Sequence, residues 1–307
     1  MLTSFFGKST PLNFVLLGSY IFVICLLHFV LDAEVVFSLV SVGKLSAVVA
    51  LLVFSILLLD FTIRKNGLTL LNTYATFIFS CAVGMLCGFI KEPNLVIANV
   101  FLLLALRRMF SLQAPKNSER KILDASIWIL LASAFYFWSI LLFIGLYVAI
   151  TLKPQKTIRY YLVPFVAIIG VFLIATAYHF LIDQSFGWFV NWLGDTSFDF
   201  TNYAQIKILV FISFMATLLV WTLITKIKAI TSGAKKSRPN NILEIYVLVA
   251  LLFVVLFSSE KTGEEFLFFL APSAIIISGY IEKKSEVWFK EILLWVFVLL
   301  PILFVFI

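Results

Sequence analysis

Residues 127–152 read IWILLASAFYFWSILLFIGLYVAITL, an apolar run of 26 residues with basic side chains at both borders. Arg120 and Lys121 precede it; Lys153, Lys156 and Arg159 follow. A single membrane crossing would put one of these clusters on the outer side. Lys and Arg concentrate in the cytoplasmic loops of membrane proteins, so the run reads instead as two tightly turned helices. The hairpin is centred near Ser133 to Ser139 and enters and leaves on the inner side. Each half is shorter than the ~20 residues of a full crossing, which predicts shielding by protein or a thinned bilayer.

The rest of the chain repeats the alternation of apolar spans and short charged segments. Spans are predicted at about Leu12–Leu31, Leu45–Phe61, Leu68–Phe89 and Leu95–Leu106 before the hairpin. After it come Tyr161–Ile182, Ile206–Thr225, Ile242–Phe257, Phe266–Ile281 and Ile292–Ile307. With the amino terminus cytoplasmic, the inner segments hold 19 of the 23 Lys and Arg, leaving Lys44, Lys91, Lys207 and Lys261 outside. The outer side carries nine acids: Asp32, Glu34, Glu92, Asp183, Asp195, Asp199, Glu260, Glu264 and Glu265. Inverting the chain would reverse the bias. The expected architecture is all-α: one integral membrane domain over residues 1–307, a polytopic bundle of about eleven helices, with the carboxyl terminus outside.

Composition agrees. Hydrophobic residues make up 63% of the chain, charged residues 13%, and the mean hydropathy is +1.10. A soluble domain is nearer half apolar and a quarter charged. The net charge of +7 sits in short loops between spans, which argues against nucleic-acid binding. Cys25, Cys81 and Cys87 all lie in apolar runs, so neither a disulfide framework nor a metal site is implied. No cofactor motif is present. Met1 to Pro11 has one lysine and no small-residue cleavage site after the first apolar run, so the first helix is expected to stay.

Two segments have the residues for chemistry. Asp32-Ala33-Glu34 sits at the outer mouth of the first span, where a carboxylate can take a proton from a hydroxyl or help hold a cation. His28, four residues earlier, shares its helix face with Asp32. A helix end solvated by headgroups explains the same pair. The second segment is Glu260-Lys261-Thr262-Gly263-Glu264-Glu265, a tight charged outer loop suited to a polar headgroup. Acids at a helix start also suit its macrodipole. Lys91 and Lys261 are the candidates for holding phosphate. The aromatic stretch Phe186 to Trp192 reads as an interfacial anchor. His179 reads as a packed residue. Walker A, HExxH and GxSxG motifs are absent, and no charge is expected in mid-span, which weakens an ion-driven pump.

These features resemble the GT-C class of multi-spanning glycosyltransferases, which use polyprenyl-phosphate sugars. Asp32 and Glu34 match that class's outer acidic pair, residues 127–152 its short paired helices, and Phe266 to Tyr280 with Pro272 its late proline-bearing span. The first outer loop is shorter than in that class, and no large outer domain follows. The resemblance implies a transferase acting on a lipid-linked sugar at the outer face, with Asp32 or Glu34 as base. The opening Met1 to Asn13 is similar to an uncharacterised Bacteroidota membrane-protein family, which implies a bacterial inner membrane. Two other readings stand beside the transferase: a catalytically silent subunit of an envelope export or glycan-assembly complex, and a lipid or solute transporter. The partners expected are membrane lipids, the polyprenyl-phosphate sugar and other inner-membrane proteins.

Overall fold

The computed structural model describes residues 1–32, 38–114, 116–184, 186–232, 237–259, 261–284 and 286–306. Among them the chain is helical throughout, without strands. In order, the helices are α1 (Leu2–Phe6), α2 (Pro11–Leu31), α3 (Leu39–Asn66), α4 (Tyr74–Leu86), α5 (Pro93–Phe110), α6 (Ser118–Phe135) and α7 (Leu142–Thr151). Then follow α8 (Ile158–Asp183), α9 (Trp188–Trp192), α10 (Ile206–Ser232), α11 (Arg238–Phe257), α12 (Leu267–Lys283) and α13 (Val287–Phe306). Eight of them are long and apolar enough to cross a membrane. The shorter α4, α6 and Phe137–Thr151 segments complete the bundle between them. Below, inner and outer name the two ends of the bundle as the charge bias assigns them.

The centre is α4 packed on α12. All thirteen residues of α4 are buried, as is nearly all of α12. Around them stand α2, α3, α5, α10, α11 and α13, while α8 lies outermost against α6. The expected third span, Leu68–Phe89, is reduced to α4 alone. At ~1.5 Å per residue α4 is ~20 Å long, short of the ~30 Å hydrocarbon core. Its neighbours supply the missing shielding. The residues before it are held out of the helix: the Thr73 N–H and hydroxyl donate to the Phe6 carbonyl at 3.0 Å each, and buried Asn13 donates to Thr73 Oγ1 at 2.8 Å.

The hairpin forms, with its break at Tyr136 in an extended backbone conformation. Its first half is longer than expected. α6 starts at Ser118, nine residues before the apolar run, because Arg120, Lys121 and Asp124 are taken into its first turns; Asp124 pairs with Arg108 at 2.8 Å. Its apolar part, Ala125 to Phe135, is only ~17 Å long, and α5 and α8 pack against it as the expected shielding. The tip reaches the outer loops, where the Trp138 indole donates to the Asp195 carbonyl at 3.1 Å and Trp192 to that of Ser133 at 2.9 Å. At the other end Lys121 lies within electrostatic reach of Lys153, Lys65 and Arg108. Both ends of the hairpin therefore meet at the basic end of the bundle.

One expectation fails inside the bundle. Cys25 of α2 and Cys87, just after α4, form a disulfide; Cys81 is free and buried. The partners lie 62 residues apart, beyond any local spacing rule. At the inner ends of two spans, Glu244 of α11 is fully buried and pairs with Lys226 of α10 at 2.5 Å. α10 continues two turns beyond its predicted end at Thr225, and Lys226 lies at the start of that extension.

Two checks follow from this arrangement. After denaturation, a thiol-reactive mass tag is expected to add once to the unreduced chain and three times after reduction; three additions before reduction would refute the disulfide. For orientation, single cysteines are placed at Gln155 and Asp195 in the otherwise native chain, whose own thiols are paired or buried. An impermeant thiol reagent applied to whole cells is expected to label position 195 and spare 155. The reverse pattern would overturn the assignment of both ends and the hairpin.

Candidate outer-face site

α2 runs outward to Leu31 and ends as Asp32 turns extended, its N–H donating to the His28 carbonyl at 3.0 Å. The Asp32 carboxylate lies 4.0 Å from the Lys91 ammonium; their side chains are 31% and 60% exposed. Two residues that the sequence singled out separately thus meet. Lys44 and Glu92 form a second ion pair beside them. His28 lies against Gly88: a Cβ there would sit 2.9 Å from the ring's Nδ1, so only glycine admits the imidazole this close. The Cys25–Cys87 disulfide fastens the same two segments one turn deeper. Lys207, at the start of α10, is the base whose charge acts on His28. Glu34 lies outside the described residues, as does Glu260.

The second segment folds inward. Gly263 takes a left-handed φ of 97°, which turns the chain into the short 3-10 turn Glu264–Phe266. Glu265 is 1% exposed. Its carboxylate accepts from the Gly263 N–H at 2.9 Å, from the Thr262 hydroxyl at 3.3 Å and from the Tyr203 hydroxyl. Burial, and then the Glu265 charge, push the Tyr203 phenol well above its ordinary pKa. Lys261 is 2% exposed and donates to the Val255 and Leu256 carbonyls at 3.0 and 2.7 Å, capping the end of α11. Burial depresses its pKa, partly offset by Glu265. Glu264, half-buried beside them, is the more accessible acid of this loop.

The two clusters share a wall. Gly263 packs against Ile208 and Phe89, its Cβ direction meeting their side chains at 3.1 and 3.5 Å. Phe89 follows Gly88, and Ile208 follows Lys207. One outer assembly therefore links residues 28–32, 87–92, 203–208 and 261–265. Its open part holds Asp32, Lys91, His28 and Lys207. Its buried part, centred on Glu265 and Lys261, holds the α11–α12 turn in place. Among the described residues no three His, Cys, Asp or Glu side chains are arranged to hold a metal ion. The sequence pointed to Asp32, Lys91 and His28. It gave no signal for Tyr203, and for Lys207 only its membership of the four outer bases.

Near the membrane surface the aromatic stretch behaves as expected of an anchor. Trp188 stacks on His179, with ring centroids 5.4 Å apart, and its indole donates to Thr176 at 3.0 Å. Phe189 and Val190 stay exposed for lipid.

An all-α bundle with eight long apolar helices and its charges gathered at two ends is a multi-pass membrane protein. The chain belongs to DUF6427, a family of unknown function whose model matches residues 8–307. No curated protein and no solved structure matches it.

Proposed function

We propose that this protein is a membrane glycosyltransferase of GT-C-like topology, acting at the outer face of a bacterial inner membrane on a polyprenyl-phosphate sugar. The observation that carries the reading is the Asp32 carboxylate, partly open to solvent and paired with Lys91 at the mouth of α2. An acceptor hydroxyl oxygen attacks the sugar's anomeric carbon, and the bond from that carbon to the phosphate oxygen breaks. The electron pair leaves with the polyprenyl phosphate, and the hydroxyl proton passes to Asp32 or Glu34. Lys91, more than half exposed and paired with Asp32, is the base placed to hold the phosphate. The test is the double change Asp32→Asn with Glu34→Gln in a deletion strain. Loss of complementation with normal protein levels supports the transferase; full rescue removes it.

A second reading is supported by the pairing itself. Asp32 has Lys91, and Glu265 has Tyr203, Thr262 and Gly263. A scaffold subunit of an envelope complex would also satisfy its outer acids in this way. Rescue by the double variant would favour it.

A further inference from the structure

At the inner end of the hairpin, bases from three helices and the turn after α7 converge instead of spreading into water. Lys121 of α6 lies within electrostatic reach of Lys153, of Lys65 on α3 and of Arg108 on α5. Arg107, beside Arg108, holds its guanidinium 4.5 Å from the centre of the Phe61 ring. Two acids stand among these five bases. Asp124 is taken by Arg108 at 2.8 Å, and exposed Glu119 acts on Tyr160 beside Lys153. The excess is three positive charges (5 − 2). Asp60 does not change it, because Arg64 pairs with it at 2.7 Å. The remaining acids that could alter the count, Glu34, Asp183 and Glu260, all fall in sequence at the outer ends of α2, α8 and α11.

Three of the donors here lack the partners that burial demands. Lys153 is 2% exposed, yet no carboxylate pairs with it among the described residues; its ammonium sits 4.7 Å from the centre of the Tyr160 ring. A lysine is almost never fully buried without a partner, and a ring face is a weak counter-charge. Arg107 Nε and Gln113 Nε2 are buried and have no hydrogen-bond partner among the described residues, although buried polar atoms are almost always paired. Gln113 ends the 3-10 turn Ser111–Gln113, whose Ser111 carbonyl accepts from Lys121 at 2.7 Å. All three unmet groups are donors. The positive-inside bias accounts for bases on this side of the membrane, but not for their burial against one another. An anion with several oxygens would satisfy them together.

We infer that Lys65, Arg107, Lys121 and Lys153 form a site for the headgroup phosphate of an anionic phospholipid of the inner leaflet, seated between α3, the α5–α6 turn and the end of α7. The unmet donors call for an oxyanion. Their place at the inner ends of the spans is headgroup depth, where basic pockets between helices take anionic headgroups. Phe61, the ring beneath Arg107, is exposed to lipid, as is Ile158 at the start of α8, so hydrocarbon chains have a surface beside the phosphate. The three excess charges favour a lipid with net negative charge, because a zwitterionic headgroup brings its own cation. The inference goes beyond the transferase reading and stands without it.

The test uses the full chain in a neutral detergent, titrated with phosphatidylglycerol, with phosphatidylcholine and with inorganic phosphate, and native mass spectrometry counts the bound molecules. The first phosphatidylglycerol is expected to bind at least about 10-fold more tightly than phosphatidylcholine. Lys121→Gln with Lys153→Met is expected to weaken it about 10-fold or more. Lys284→Gln with Lys290→Gln removes the same charge at the α12–α13 end and is expected to leave it unchanged. Equal wild-type affinity for the two lipids would overturn the site, whether or not the variants fold. So would an unchanged affinity in the Lys121 and Lys153 double variant, or an equal loss in both double variants, which would mean general surface charge. Inorganic phosphate displacing phosphatidylglycerol at equal concentration would identify a free-anion site and overturn the lipid assignment. Asp32→Asn with Glu34→Gln, at the outer end, is expected to keep lipid binding, so failure of the transferase and failure of this site give different results.

Discussion

Asp32→Asn combined with Glu34→Gln is expected to lower transfer about 100-fold or more while leaving expression and membrane insertion normal. The size of the stability effect decides the interpretation. Asp32 and Lys91 are 4.0 Å apart and substantially solvated, and such an exposed pair contributes ~0–1 kcal/mol. An amide of the same shape in a water-accessible helix mouth changes stability by roughly 0.5 kcal/mol. Neither is enough to remove the protein from the membrane. Loss of a positioned base is a kinetic loss of several kcal/mol in the barrier, because ~1.4 kcal/mol corresponds to each tenfold in rate. The measurement is complementation of a deletion strain, with protein level followed by immunoblot. Full complementation would remove Asp32 and Glu34 from catalysis and favour the scaffold subunit. Disappearance of the chain itself would contradict the placement of Asp32 at a solvated mouth.

Breaking the Lys226–Glu244 pair is expected to have the largest effect on stability. Glu244 is fully buried and Lys226 nearly so, at 2.5 Å. Removing one partner leaves an uncompensated charge among apolar neighbours, which costs about 3–5 kcal/mol. Lys226→Met alone or Glu244→Leu alone should therefore unfold at markedly lower temperature in detergent. Replacing both at once restores an apolar contact of similar volume and is expected to recover most of the loss. Thermal unfolding of the three variants checks this. A double variant as unstable as either single one would show that the pair does more than neutralise itself, for example by tying α10 and α11 to neighbouring groups such as Glu282 and Lys283.

Much of the fold was legible because lipid imposes a simple rule on sequence: apolar where the chain crosses, basic where it turns inside. The hairpin at residues 127–152 was found from its flanking bases alone. What failed depended on partners far away in sequence. Leu68 to Thr73 is apolar enough to continue a helix, yet Glu282, about 210 residues away, accepts from the Leu70 N–H and from Asn72. Those bonds hold the segment outside α4. α6 began early because Asp124 had a partner in Arg108. α10 runs past Thr225, and Lys226 in that extension pairs with Glu244. The Cys25–Cys87 disulfide was invisible for the same reason.

The site divides in the same way. Asp32 and Lys91 were legible as a carboxylate and a base at outer mouths, because outer charges are few. Their juxtaposition was not, since it depends on how α2 and the turn after α4 meet. Lys261 and Glu265 stood out equally in sequence, but the structure buries both. Burial follows from the positive φ of Gly263, which folds the loop back onto Tyr203. Linear spacing says nothing about that turn's direction.

The central claim is that a lipid-linked phosphate is handled at the outer mouth between α2, residues 87–92 and the start of α10. Phe89 lies between the two clusters, packed against Gly263. The most direct measurement places a photoreactive benzoyl-phenylalanine at position 89 in living cells, with the exposed inner-loop position Leu71 as control. Irradiation followed by mass spectrometry of the purified chain identifies the adducts. The account predicts a polyprenyl-phosphate adduct at position 89, absent at position 71 and reduced when Lys91 is glutamine. Ordinary phospholipid adducts in equal yield at both positions, with no polyprenyl species at 89, would contradict it.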